Sequence, residues 1–195
     1  MQAIFDATLK SVIVALDSRE VGTADHSERC ALYARVIAEE MGLPPDEIAH
    51  ISSGVYLHDI GKLLVPDSIL KKPGKLTQEE WVIVRDHSKT GWTLLDGLEF
   101  LDTARRVPLE HHEAFWGGGY PGGLTGHEIY VGARIMTVVD AFDAITSWRP
   151  YRESAPPGVA LEKLPFESGK LLCPDVCQAF LATYEELCRL GDMKP

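Results

Sequence analysis

A chain of 195 residues is long enough for one domain with a substantial core, and 45% apolar with 25% charged residues is the balance of an ordinary globular protein. The formal net charge of -10 argues against a nucleic-acid polymer as partner, because such a partner needs a basic face. No apolar run approaches the ~20 residues that span a bilayer, no leader pattern opens the chain and the four cysteines are sparse, so we expect a cytoplasmic protein with reduced thiols and no membrane partner.

Helical periodicity dominates. Ile4, Phe5, Leu9, Val12, Ile13 and Leu16 form one apolar stripe. Residues 1–20 are therefore expected as an N-terminal helix, a linker or a homodimer contact, ahead of a domain over 20–195. A helix over about 24–41 should stop at Gly42. Pro44-Pro45-Asp46-Glu47 opens the next, expected to carry Ile51, Val55 and His58. Val65-Pro66-Asp67 starts a short helical turn. Thr77 and Glu80 have capping-box spacing and should open a helix through Trp81, Val84, His87, Ser88, Trp92 and Leu95, ending near Gly97. Another is expected over 102–115, kinked at Pro108. Residues 117–126 are too rich in glycine for a helix and form a loop. Helices follow over 130–146 and 174–190, with one short helix inside the irregular stretch 148–169. No strand stands out, so the fold class is all-α, a single-domain helical bundle.

Two adjacent pairs of metal-ligand types mark this bundle, His58-Asp59 and His111-His112. Neighbours on a helix project ~100° apart, so both members of a pair can approach one cavity from different sides. Asp59 offers two oxygens and can bridge two cations. Lys62, one turn after His58, suits a phosphate better than an ion. Asp140 follows an apolar run, where an inward carboxylate needs a cation. Imidazole and carboxylate without thiolate suit iron, manganese, nickel or zinc. His50 and His127 are read as ordinary histidines. Cys173 and Cys177 have a spacing zinc can use, but no second pair follows, so no metal is assigned there. Arg149 and Arg152 are candidates for a phosphate or a guanine edge, because guanidinium makes paired hydrogen bonds to both.

The ordered set His26, His58-Asp59, His87, His111-His112 and Asp140 resembles the HD-GYP domain of the HD superfamily of metal-dependent phosphohydrolases. The resemblance extends through His26-Ser27-Glu28-Arg29, His58-Asp59-Ile60-Gly61-Lys62, Pro66-Asp67-Ser68-Ile69-Leu70, Gly119-Tyr120-Pro121, Asp140-Ala141-Phe142-Asp143-Ala144 and Arg149-Pro150-Tyr151-Arg152. It implies an HD-domain fold with a GYP loop and a cytoplasmic phosphodiesterase acting on cyclic di-GMP, giving linear pGpG and, in some members, GMP. It also implies two divalent ions, iron or manganese, and a diguanylate-cyclase (GGDEF) partner. His26, His58, Asp59 and Asp140 would hold one ion, with Asp59 bridging to a second on His87, His111 and His112.

A water or hydroxide between the two ions would be the nucleophile, with Lys62 on the scissile phosphate. Asp143 would restrain Lys62 or a metal-bound water. Gly119, Tyr120 and Pro121 would meet the substrate at the mouth. Some family members hold a third ion through a glutamate at the place of Gly22, so two ions are expected unless Glu20 or Glu113 substitutes. Trp116 stands where the family often has aspartate. Three readings are open: a cyclic di-GMP phosphodiesterase, an HD hydrolase of another nucleotide, or a cyclic di-GMP receptor or partner-binding module.

Overall fold

A computed structural model describes residues 11–14, 16–19, 23–147 and 154–191. Nine helices are described: α1 (Thr23–Glu40), α2 (Pro45–Tyr56), α3 (Asp67–Leu70), α4 (Gln78–Arg85), α5 (His87–Leu94), α6 (Arg106–Glu110), α7 (Val131–Thr146), α8 (Gly158–Phe166) and α9 (Pro174–Leu190). Short 3-10 turns cover Ile60–Leu64, Glu99–Leu101 and Gly126–Glu128. No strand occurs among the described residues, so the all-α expectation holds. No helix among them is long and apolar enough to cross a membrane.

Several boundaries fall where local chemistry puts them. Gly42 takes φ +68° and closes α1, with the Leu43 N–H donating to the Ala38 carbonyl 3.1 Å away. Pro45 opens α2 at a position whose N–H has no helical partner to lose. Thr77 and Glu80 form the expected reciprocal capping box at α4.

The central helix is α7, in contact with α1, α2, α6, α8 and α9. Its sequence is apolar on most faces because most faces are covered. Phe142, Phe180 and Tyr33 meet edge-on around it, with ring centroids 5.1 and 5.6 Å apart. A second, smaller apolar cluster holds Ile13, Leu57, Ile60, Leu95, Leu101 and Ala104. The described part of the N-terminal segment is thus packed onto the bundle. Arg19 also reaches the Lys62, Leu63 and Val65 carbonyls and Asp67, closing the end of the first 3-10 turn.

Three expected helices are shorter than their apolar spacing suggests. The one expected to reach His58 ends at Tyr56. The one expected over 77–97 is divided at Asp86 into α4 and α5. The one expected over 102–115 contracts to α6, leaving His111 and His112 beyond its end.

Candidate metal centre

Those breaks set the chemistry. His58, His87 and His111 each stand at the exit of a helix, and each ring turns back onto the turn it has left. Nδ1 of His58 is 2.7 Å from the Val55 carbonyl, Nδ1 of His87 is 2.5 Å from that of Val84, and Nδ1 of His111 is 3.0 Å from that of Pro108. These carbonyls lie where the regular helical ladder ends, and each has a second lone pair for the ring. A carbonyl only accepts, so each Nδ1 carries a proton, which makes each Nε2 the nitrogen that faces an ion. His26, in the body of α1, reaches the same state differently. Its Nδ1 lies 2.7 Å from Asp143 Oδ2.

The free nitrogens converge. His26, His58 and Asp59 place ligand atoms within 4.8 Å of one another, and His87, His111 and His112 do the same. Asp59 stands between the groups: Oδ2 is 3.3 Å from His58 Nε2 and Oδ1 is 3.6 Å from His87 Nε2. Asp140 Oδ1 is 3.7 Å from His26 Nε2. All seven candidate ligands form one connected cluster, with His58, Asp59, His87 and His111 buried. The Nε2 atoms of His87 and His111 face each other at 3.5 Å. Both are lone pairs, so no proton lies between them, and a cation is what that arrangement accommodates. The donor set therefore fits divalent metal ions.

Electrostatics agrees. Burial, then the neighbouring His112, holds His111 well below its ordinary pKa. Burial, then His87, pulls His112 down to about 3. Burial also lowers His87. These rings are neutral at pH 7 and competent as ligands. Burial alone would raise Asp59, but the charges of Lys62 and His58 hold it well below the usual carboxylate range. Burial would lower His58, and the Asp59 charge outweighs it.

Glycine brings the two halves together. Gly61 packs so closely on α5 that a Cβ there would sit 1.9 Å from the His87 carbonyl oxygen. Gly119 fits the GYP loop against the Glu113–Ala114 backbone, where a Cβ would meet Ala114 N at 2.3 Å. Glu113 is buried under that loop and accepts from the Gly122, Gly123 and Leu124 N–H groups at 2.6 to 3.1 Å. Glu113 is thus committed to the loop rather than free for a third ion. Tyr120 stacks on His112, centroids 4.7 Å apart, and burial raises its phenol to about 12. Tyr120-Pro121 is a cis peptide.

Lys62 lies at the cluster, Nζ 2.8 Å from Asp59 Oδ2. Asp143, expected to restrain Lys62 or a metal-bound water, is found bonded elsewhere. Its carboxylate takes His26 Nδ1, Arg29 Nε at 2.8 Å and Ser147 Oγ at 2.9 Å. Those donors outweigh its burial and keep it ionised, so it orients His26 from behind. Cys30 was not read from the sequence as part of the site. It lies one turn from His26 with Sγ 3.5 Å from Nδ1, and burial keeps its thiol neutral. Arg85 was also not singled out; its guanidinium lies 5.1 Å from the Tyr120 ring centroid. His127 sits away from the cluster, against Arg134 and Phe115. The Trp116 side chain is exposed, and its backbone N–H donates to the Lys170 carbonyl. Arg149, Arg152, Glu20 and Gly22 lie outside the described residues.

A family model described as HD domain matches residues 10–176. The cyclic di-GMP phosphodiesterase response regulator RpfG of Xanthomonas campestris pv. campestris is 39% identical over 186 residues, covering 93% of this chain and 49% of the relative. A cyclic di-GMP phosphodiesterase of Thermotoga maritima is 40% identical over 171 residues, covering 87% and 46%. The chain therefore spans about half the length of these curated relatives. Among solved structures, the cyclic GMP-AMP specific phosphodiesterase V-cGAP3 of Vibrio cholerae superposes with TM-score 0.53 at 31% identity, over 97% of this chain and 42% of that one.

Proposed function

The chain belongs to the HD-domain family, as an HD-GYP domain, and from that premise we propose that it is a metal-dependent phosphodiesterase hydrolysing cyclic di-GMP to linear pGpG, with GMP as a further product. The observation that carries this reading is the placement of Asp59, one oxygen toward His58 and the other toward His87. One carboxylate shared by two groups of imidazoles is the donor arrangement a two-ion phosphodiesterase needs.

His26, His58, Asp59 and Asp140 would hold one divalent ion, and Asp59, His87, His111 and His112 would hold the other. Iron or manganese suits these donors, and nickel or zinc is compatible. When bound, the pair acidifies a water and neutralises charge on the phosphoryl oxygens. The chain supplies the rest. The backbone carbonyls and Asp143 fix the Nδ1 protons of His26, His58, His87 and His111, so these four rings need no reorientation on loading. Lys62 donates to a non-bridging phosphoryl oxygen, where negative charge grows during attack. Glu113 keeps the Gly119-Tyr120-Pro121 loop closed over His112, which limits water access from that side. Arg149 and Arg152 serve the guanine edges. A cytoplasmic setting, a homodimer through the N-terminal segment and a GGDEF partner belong to the same reading.

A mixed GMP-AMP cyclic dinucleotide is the second reading, favoured by the likeness to the Vibrio cholerae enzyme. The test is reconstitution under anaerobic conditions with Fe(II) and, separately, Mn(II), followed by chromatography of products from cyclic di-GMP and from 3'3'-cGAMP. We expect about two ions per chain and pGpG from cyclic di-GMP. Preferential cleavage of 3'3'-cGAMP moves the assignment to the second reading. Tight binding of cyclic di-GMP without cleavage makes the domain a receptor instead.

A further inference from the structure

On a chain with net charge -10, arginines find carboxylates easily. Arg19, Arg29, Arg35, Arg105 and Arg106 each sit on one. Arg85 does not. Among the described residues its guanidinium makes no ion pair and no hydrogen bond, and the side chain is exposed. It is nevertheless held in place. The group lies 5.9 Å from the Trp81 ring centroid and 5.1 Å from that of Tyr120. Tyr120 in turn stacks on His112 at 4.7 Å. Two aromatic steps therefore link this charge to the metal-ligand cluster.

A guanidinium can rest its face on an aromatic ring while its edge keeps the paired donors that fit a phosphate. The substrate class proposed above carries two phosphodiester anions. When one occupies the ion site beside Lys62, the other lies across the macrocycle and needs its own cation. We propose that Arg85 is that cation: a substrate-binding and specificity-determining residue that takes the non-scissile phosphodiester of a cyclic dinucleotide at the mouth of the site. This rests on the cyclic-dinucleotide reading and adds to it the residue that distinguishes a two-phosphate substrate from a one-phosphate one. Arg85 contacts a part of the substrate that does not react, so its contribution is to uniform binding and shows in KM rather than kcat.

The experiment compares wild type, Arg85→Ala and Arg85→Lys at equal metal content on cyclic di-GMP and on bis(p-nitrophenyl) phosphate, which has a single phosphodiester. For Arg85→Ala the KM for cyclic di-GMP should rise roughly tenfold or more, with kcat changed less than about threefold. The fall in kcat/KM should be about tenfold larger for cyclic di-GMP than for the single diester. Arg85→Lys, which keeps the charge and loses the fork, should lie between. An unchanged KM in Arg85→Ala, or equal losses on both substrates, overturns the assignment of Arg85 and leaves the phosphodiesterase reading standing. Wild-type protein that cleaves the single diester but neither binds nor cleaves a cyclic dinucleotide overturns the substrate reading, and the role of Arg85 with it.

Discussion

Imidazole offers two nitrogens, and a metal site works only if each ring presents the right one. Here the choice is made by neighbours close in sequence for His58, His87 and His111, and by a partner 117 residues away for His26. That difference explains what could be read from the chain alone. The ligand types and their order are legible because the ordered set, more than either adjacent pair alone, resembles the HD-GYP pattern. Arg29 and Asp143 were visible as motif residues, yet their joint work behind His26 depends on a contact between α1 and α7 that no spacing reveals. Asp59 is the residue on which both groups converge. Asp59→Ala should leave near-zero metal in place of about two ions and lower hydrolysis on the order of a thousandfold or more. His50→Ala, outside the cluster, should leave both unchanged. Metal analysis of the two purified variants decides it, and equal losses would show that the cluster is misassigned.

At the scale of elements, the helices were legible and three of their ends were not. Ile51 and Val55 belong to the large cluster, Leu57 and Ile60 to the small one. The apolar rhythm runs on across the break because a second core takes over where the first stops. Neither Gly nor Pro marks the exits at Tyr56 or Asp86, so periodicity alone carries the helix too far. The breaks are nonetheless what place His58 and His87 at helix ends. Gly61 is the element-level joint, holding the first 3-10 turn against α5. Gly61→Ala should lower stability by about 3 kcal/mol or more, since the clash is with backbone that cannot swing aside. It should also weaken metal retention by moving Asp59 away from His87. Gly158→Ala is the control, with ordinary φ and open space around the new methyl. Thermal denaturation with metal analysis reads both effects, and a Gly61→Ala protein as stable as the control would refute the close-packing account.

For the molecule as a whole, the cluster is a store of pH sensitivity. His87, His111 and His112 have lowered pKa values in the fold. Below about pH 6.5 the unfolded chain binds protons at these rings that the folded chain does not, so their stabilisation is complete above that value and is lost as pH falls. Each ring contributes at most about 1.4 kcal/mol per pH unit. His58, raised in the fold, acts in the opposite direction and offsets part of the loss. The metal-free protein should therefore melt at lower temperature at about pH 5.5 than at about pH 7.5, and His112→Gln should shrink the difference. A flat profile in wild type would mean that these rings do not govern the acid limb. The turn-back of His58, His87 and His111 onto their own helix exits has another consequence. Each ligand and the three residues before it form a cassette that sets its ring by itself. Assembling the centre is then a matter of docking prefabricated parts, and such a cassette, grafted onto the end of an unrelated helix, should carry its aimed nitrogen with it.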